Sequence, residues 1–239
     1  MLICYLGVLI SSSNSLPLST NKRWIVDEAT GKRVKLVCAH WVGDLSPMVV
    51  EGLDKSPLND IVHQFHDKGF NCVRLSYSTY LFTRYANQTV AETLSGLDLP
   101  EATKAAIAKH NPWVLNTTHL EAYEAVVDAL DKNGVMVTID NHVSLPDWCC
   151  GNDDGNGFFG DRHIDPQEWL RGLSFVATYF KEKPHVVAVD LRNELTNARQ
   201  SKHDWYEYMR KGARTIHEAN PKVLVIVVIA TVPTPFYAI

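Results

Sequence analysis

The sequence has no apolar run of the roughly 18 residues that would suggest a membrane-spanning helix. It has no Lys/Arg block and no basic stripe, and its net charge is -4, so nucleic acid is not an expected partner. It has no Cys-x-x-Cys pair, which argues against a zinc or dithiol site of that type. No GxGxxG or Walker sequence follows an apolar run, so nucleotide-binding α/β folds lose support. His63 and His66 are spaced for one helix face, but no third metal ligand accompanies them. Asn152, Asp154, Asn156 and Gly157 imitate the opening of a calcium loop, yet His163 stands where the bidentate glutamate belongs. The Gly and Asn content there is better explained by tight turns. No metal and no cofactor is expected.

What is present describes a globular protein with a substantial core: 239 residues, 46% hydrophobic and 21% charged. That is one sizeable domain or a piece of a larger one. Residues 1–10 are apolar and a Ser/Asn stretch follows, so residues 1–15 resemble a secretory signal, although the charged start is missing. Residues 16–239 then form the domain. Asn87-Gln88-Thr89 and Asn116-Thr117-Thr118 are N-glycosylation acceptors in loop-like sequence, which fits a secreted protein. Of the five cysteines, Cys4 would leave with the signal. Cys38 and Cys72 lie in apolar runs and read as buried thiols. Cys149 and Cys150 are adjacent, and one of them has the setting for a disulfide whose partner the sequence does not identify.

Apolar runs and helical periodicity alternate along the chain. Strands are expected near 36–40, 71–76, 135–140, 186–191 and 223–229. Helices are expected over 57–68, from Thr118 (as N-cap, with Glu121 completing a capping box) to Gly134, from Pro166 to about 182, and over 203–218. Residues 24–26 and 34–36 read as arms of a short hairpin around 27–31. Two long loops, 77–116 and 144–165, follow strand ends. The first has some helical character near 101–109. This order predicts parallel strands with right-handed crossovers, and long loops after strand C-termini favour a (β/α)8 barrel of which five units are present.

The strand ends carry the chemistry. His40 and Trp41, Arg74, His142, and Asn193 with Glu194 would meet at one mouth. The last two belong to a stretch, Val186 to Leu195, that opens as a continuous apolar run and ends abruptly in Arg192-Asn193-Glu194. A carboxylic acid that protonates a leaving oxygen, an amide that grips a hydroxyl and aromatic rings that stack on sugars suit glycoside chemistry. Trp113, Trp169 and Trp205 read as packing residues.

Asn71-Cys72-Val73-Arg74-Leu75, Asp140-Asn141-His142 and Arg192-Asn193-Glu194-Leu195, in this order on successive strands, resemble glycoside hydrolase family 5, the cellulase and mannanase group. Trp148-Cys149-Cys150 and the 154–161 loop look like its plant cellulase-like members. The resemblance implies a retaining hydrolase of β-linked polysaccharide or glycoside. Glu194 would be the general acid/base, Asn193 would bond the sugar 2-hydroxyl, Arg74 would sit beside the nucleophile, His142 would line the subsite, and Trp41 and Trp148 would contact sugar. It also implies a C-terminally truncated member. The family's nucleophile glutamate ends the seventh barrel strand, and no glutamate here matches its motif. Either a second chain completes the barrel, or the product is a non-catalytic carbohydrate-binding protein. If a second carboxylate exists here, Asp140, Asp147, Asp153, Asp154 and Asp161 are the first to consider.

Overall fold

The computed structural model describes residues 17–148, 151, 153–196 and 199–228. The signal-like segment, Cys149, Cys150 and Asn152 lie outside the described residues. The chain opens with a two-stranded antiparallel hairpin, β1 (Leu18–Asn21) and β2 (Trp24–Asp27), turning at Lys22, whose φ is +54°. The expected hairpin on the other side of β2 is reduced to one bridge, Val26 to Arg33, and flanking bonds such as Val34 N–H to Ile25 O at 2.9 Å. Asp27 caps that turn by accepting from Ala29 N–H and Thr30 N–H. The regular partner of β2 is β1, which is too short and too polar to announce itself.

Five parallel strands follow in one sheet: β3 (Cys38–Trp41), β4 (Cys72–Ser78), β5 (Met136–Val143), β6 (Val186–Asp190) and β7 (Leu224–Ile226), neighbours in that order. All four pairings are parallel, as the alternation of runs predicts. β6 is Val-Val-Ala-Val-Asp with every residue buried, the composition of a strand covered on both faces. The helices α1 (Leu58–Asp67), α5 (His119–Lys132), α6 (Pro166–Tyr179) and α7 (Lys202–Ala219) pack on the outer face. There Val73, Leu75, Val137, Ile139, Val189 and Leu191 meet Val62, Val127, Leu130, Leu173, Val176 and Ile216. α7 lies so close that a Cβ on Gly212 would meet the Trp169 ring at 2.5 Å. Among the described residues no helix is long and apolar enough to cross a membrane.

The inner face changes character along the strands. At the N-terminal end Cys72, Met136 and Ala188 are buried with Leu18, Ile25 and Leu36, so the opening hairpin covers that end. Toward the C-terminal end the same face turns polar, because strand period 2 carries Cys72 to Arg74 and Met136 to Asp140 and His142.

Residues 79–116 are not a long loop. They hold α2 (Thr79–Thr83), α3 (Val90–Gly96), α4 (Glu101–His110) and a 3-10 turn (Pro112–Asn116). Thr89 and Glu92 form a capping box that starts α3, and Thr118 and Glu121 form the expected one at α5. The first box was equally readable. The described residues between 144 and 165 form capped turns, with Asn156 Oδ1 accepting from Ser144 N–H and Leu145 N–H.

Cys38 and Cys72 are not thiols. They are in-register partners on β3 and β4 and form a disulfide. Their adjacency comes from sheet register across 34 residues of separation, which no local pattern reveals. The bond ties the edge strand β3 to the sheet. Closing a loop of that length is worth about 3–4 kcal/mol in the chain-entropy account. Cys38→Ala with Cys72→Ala should therefore lower the free energy of urea unfolding by about that amount. A loss under about 1 kcal/mol would mean that the sheet holds β3 without it.

Candidate active site

The site is built from four strands, of which β3 delivers His40. β4 delivers Arg74, β5 delivers Asp140 and His142, and β6 delivers Asp190, with Asn193 and Glu194 just beyond it. Arg74 is the hub. Its Nη2 donates to Asp140 Oδ1 at 2.8 Å, Asp190 Oδ2 at 3.0 Å and Asn193 Oδ1 at 3.0 Å. A guanidinium only donates, so the Asn193 oxygen must face it, and the Asn193 Nδ2 is left facing His142 Nε2 at 3.2 Å. His142 Nε2 is then the acceptor, and Nδ1 carries the proton that goes to Asp140 Oδ2 at 2.6 Å. The network thus fixes one histidine tautomer and one amide orientation.

The two aspartates are in-register neighbours, and both are buried. Burial raises the Asp190 carboxyl to about 7, and the charge of Asp140 adds to this while Arg74 opposes it. Asp190 Oδ1 has no hydrogen-bond partner, so a proton there relieves a buried bare oxygen. His40 stacks on His142 with centroids 5.1 Å apart, and burial first, then His142, holds its pKa below the ordinary value.

A cleft of about 400 Å³ opens over this network, lined by His40, Asp44, Glu51, Arg74, His142, Trp148, Asn193 and Glu194 among others. Asn193 is held by its N–H to Asn141 O at 2.9 Å. Arg192 is buried and donates to Ser144 Oγ and Asn156 O, tying the end of β6 to the 144–165 loop. Between the buried Asn193 and Leu195, Glu194 is exposed with φ of +27°. That is left-handed backbone for a residue with a side chain, a strain on the order of 1–3 kcal/mol of the kind found at working sites.

The structure brings together five of the residues the sequence singled out for sugar: Glu194, Asn193, Arg74, His142 and Trp148. Trp148 stands 75% exposed at the cleft. Trp41 is a correction. It is 5% exposed, its Nε1 donates to Glu51 O, and its ring packs on Phe65. His40 and Trp41 are consecutive on a strand and must face opposite ways, so the cleft receives His40. Trp113, Trp169 and Trp205 are packing residues, as expected. Asp44 and Glu51, which line the cleft, were missed; they sit in the irregular segment after β3, where no periodicity marks them. The aspartates considered as a second carboxylate are otherwise engaged where the structure describes their contacts. Asp140 holds His142 and Arg74, Asp154 and Asp161 cap turns, and Asp147 accepts from Trp148 N–H.

Parallel strands, helical crossovers and a polar set gathered at strand C-termini define an α/β protein of the (β/α)8-barrel fold, of which five strands are seen here. The sequence pattern of Cellulase (glycosyl hydrolase family 5) matches residues 28–232, and the chain belongs to that family. It is 52% identical over 229 residues to a glycosyl hydrolase 5 family protein of Chamaecyparis obtusa, covering 95% of this chain and 41% of that one. It is 27% identical over 213 residues to the major extracellular endoglucanase of Xanthomonas campestris pv. campestris, covering 87% of this chain and 40% of that one. The solved catalytic domain of the major Xanthomonas endoglucanase shares its fold, with a TM-score of 0.68 and 24% identity over 88% of this chain and 56% of that one. So does an endocellulase of Pyrococcus horikoshii solved with cellotetraose, with a TM-score of 0.64 and 18% identity over 85% and 54%. The chain spans about two-fifths of the length of these curated relatives.

Proposed function

We propose that this chain supplies the acid/base half of a retaining hydrolase of β-linked glucan, secreted after loss of residues 1–15. The observation that carries this reading is the hydrogen-bonded set Arg74–Asn193–His142 at the strand ends, with Glu194 beside it in the cleft. Glu194 protonates the leaving glycosidic oxygen and, as the carboxylate, then takes a proton from the incoming water. Asn193 Nδ2 carries two N–H groups, and when sugar is bound one of them donates to a hydroxyl of the ring being cleaved. Arg74 supplies positive charge beside the position where a nucleophilic carboxylate works, and His142 holds the amide in place. Trp148 stacks on a neighbouring sugar face. The relatives named as endoglucanases and the cellotetraose-bound neighbour support glucan over mannan. The nucleophile and the remaining barrel strands come from polypeptide beyond the described residues or from a second chain.

Calorimetry with cellotetraose and mannotetraose tests the reading. Cellotetraose should bind, and Asn193→Ala should weaken it about tenfold, the worth of one well-placed hydrogen bond. Binding of neither sugar would remove the reading. Equal binding by Asn193→Ala would take the amide out of the subsite. A second reading, carbohydrate binding without turnover, is favoured by the full engagement of Asp140, and the activity measurement described in the Discussion separates the two.

A further inference from the structure

The two glycosylation sequons, Asn87-Gln88-Thr89 and Asn116-Thr117-Thr118, lie 29 residues apart at their third positions, yet Thr89 and Thr118 are bridged as antiparallel partners. His119 N–H donates to Gln88 O at 3.0 Å, Val90 N–H to Thr117 O at 3.0 Å and Leu120 N–H to Ala86 O at 3.1 Å. The sequons therefore zip to each other. Both asparagines are exposed, and neither lines the cleft. α5 runs back to the start of β5, so its N-terminus, and the Thr89 bridged to it, lie at the end of the sheet that carries the cleft.

Each sequon threonine also begins a helix. Thr89 Oγ1 accepts from Glu92 N–H and donates to Glu92 Oε2 at 2.8 Å, while Glu92 Oε2 accepts from Thr89 N–H. Thr118 and Glu121 repeat the arrangement at the head of α5, with hydroxyl to Glu121 Oε2 at 3.0 Å. These bonds hold both glutamate carboxyls below their ordinary pKa. A sequon is recognised through its third-position hydroxyl. Here that hydroxyl and the adjoining backbone are already committed.

We propose that Asn87 and Asn116 form a paired N-glycan site in which Thr89 and Thr118 serve first as acceptor-sequon hydroxyls and then as helix caps, so that glycan transfer precedes the folding of residues 86–121. In the transfer the C1–O bond of a lipid-pyrophosphate-linked oligosaccharide breaks and a C1–Nδ2 bond forms. The asparagine amide gives up one proton, and the lipid pyrophosphate leaves. Once the two capping boxes close, the hydroxyls turn inward to glutamate and the bridge holds the sequons shut. Both asparagines still point to solvent, so the attached glycans do not obstruct the fold. They lie on either side of the Thr89–Thr118 bridge, at the cleft-bearing end.

The test is synthesis of the full chain, behind an added cleavable signal, in membrane vesicles competent for N-glycosylation. With oligosaccharide donor present throughout, the product should gain two amidase-removable glycans. Asn87→Gln and Asn116→Gln should each remove one. Thr89→Asp should also remove one while keeping the cap, since aspartate caps as well as serine. With donor withheld until synthesis ends and then restored, occupancy at both sites should fall at least tenfold. No glycan on either schedule overturns the site. Equal occupancy on both schedules overturns the order of events, whether the chain has folded or not. Neither result depends on hydrolysis of glucan, so this proposal fails separately from the functional one.

Discussion

Mixed with a polypeptide carrying the remaining barrel strands of a family 5 relative, this chain should hydrolyse β-glucan at least about a thousandfold faster than it does alone, and Glu194→Gln should remove the restored activity. Retaining hydrolysis uses two carboxyl groups about 5 Å apart, and the pair works as a unit. In the proposed reading Glu194, a strained residue just beyond β6 that lines the cleft, is one carboxyl of that pair. The others that line the cleft are poorly suited to complete the pair. Asp44 is buried and accepts from Ser76 Oγ. Glu51 sits on the irregular segment after β3, not at a strand end. Structure points the same way. β3 and β7 have no further strand partner among the described residues, and such edges invite association. Release of reducing sugar, with and without the complementing polypeptide, is the measurement. Robust hydrolysis by the chain alone that Glu51→Gln abolishes would overturn the expectation and make Glu51 the second carboxylate.

The second large effect is on stability. Asp190 rises from 3.8 to about 7 in the folded chain, chiefly through burial and then the charge of Asp140. A raised carboxyl favours the protonated form in the fold. Its contribution is therefore fully present below about pH 4 and is lost as pH rises through about 7. Over that window the folded chain binds more protons than the unfolded one, so stability falls with pH. The loss from this group is on the order of 4 kcal/mol. Asp190→Asn keeps the shape of the neutral acid and has no proton to lose. In urea unfolding from pH 4.5 to 8, wild type should lose ground steadily to Asp190→Asn. His40 and His119 act with the opposite sign, because their folded pKa is lowered. Their stabilisation falls as pH drops below about 6.5, and the difference between the two proteins cancels it. A difference that does not change with pH would mean that Asp190 stays ionised beside Arg74.

Element type and order were legible in the chain because they rest on local chemistry. Val186 to Val189 is apolar throughout and β-branched but for Ala188, and such a run reads as a strand buried on both faces. Thr118 with Glu121 announces a helix start by itself, and Thr89 with Glu92 did so too, though the 77–116 stretch read as loop. Arg192-Asn193-Glu194 after a buried run carried the family resemblance.

Register, facing and proton positions were not legible. Strand period 2 says that His40 and Trp41 point opposite ways but not which points inward; the helix layer decided that by taking Trp41 against Phe65. Cys38 and Cys72 looked like two buried thiols, because only the pairing of β3 with β4 sets them opposite each other. Asp140 and Asp190 are 50 residues apart, and no local pattern links them. Sheet register placed them side by side under one guanidinium and away from water, and this proximity raises one carboxyl, fixes the His142 tautomer and aims Asn193 at the cleft. The sequence by itself determined which groups stand at the strand ends, since local propensity and pattern place them there. Only the tertiary structure decided which of them share a proton, a bond or a face, because burial and distance belong to the assembled sheet and to no single segment.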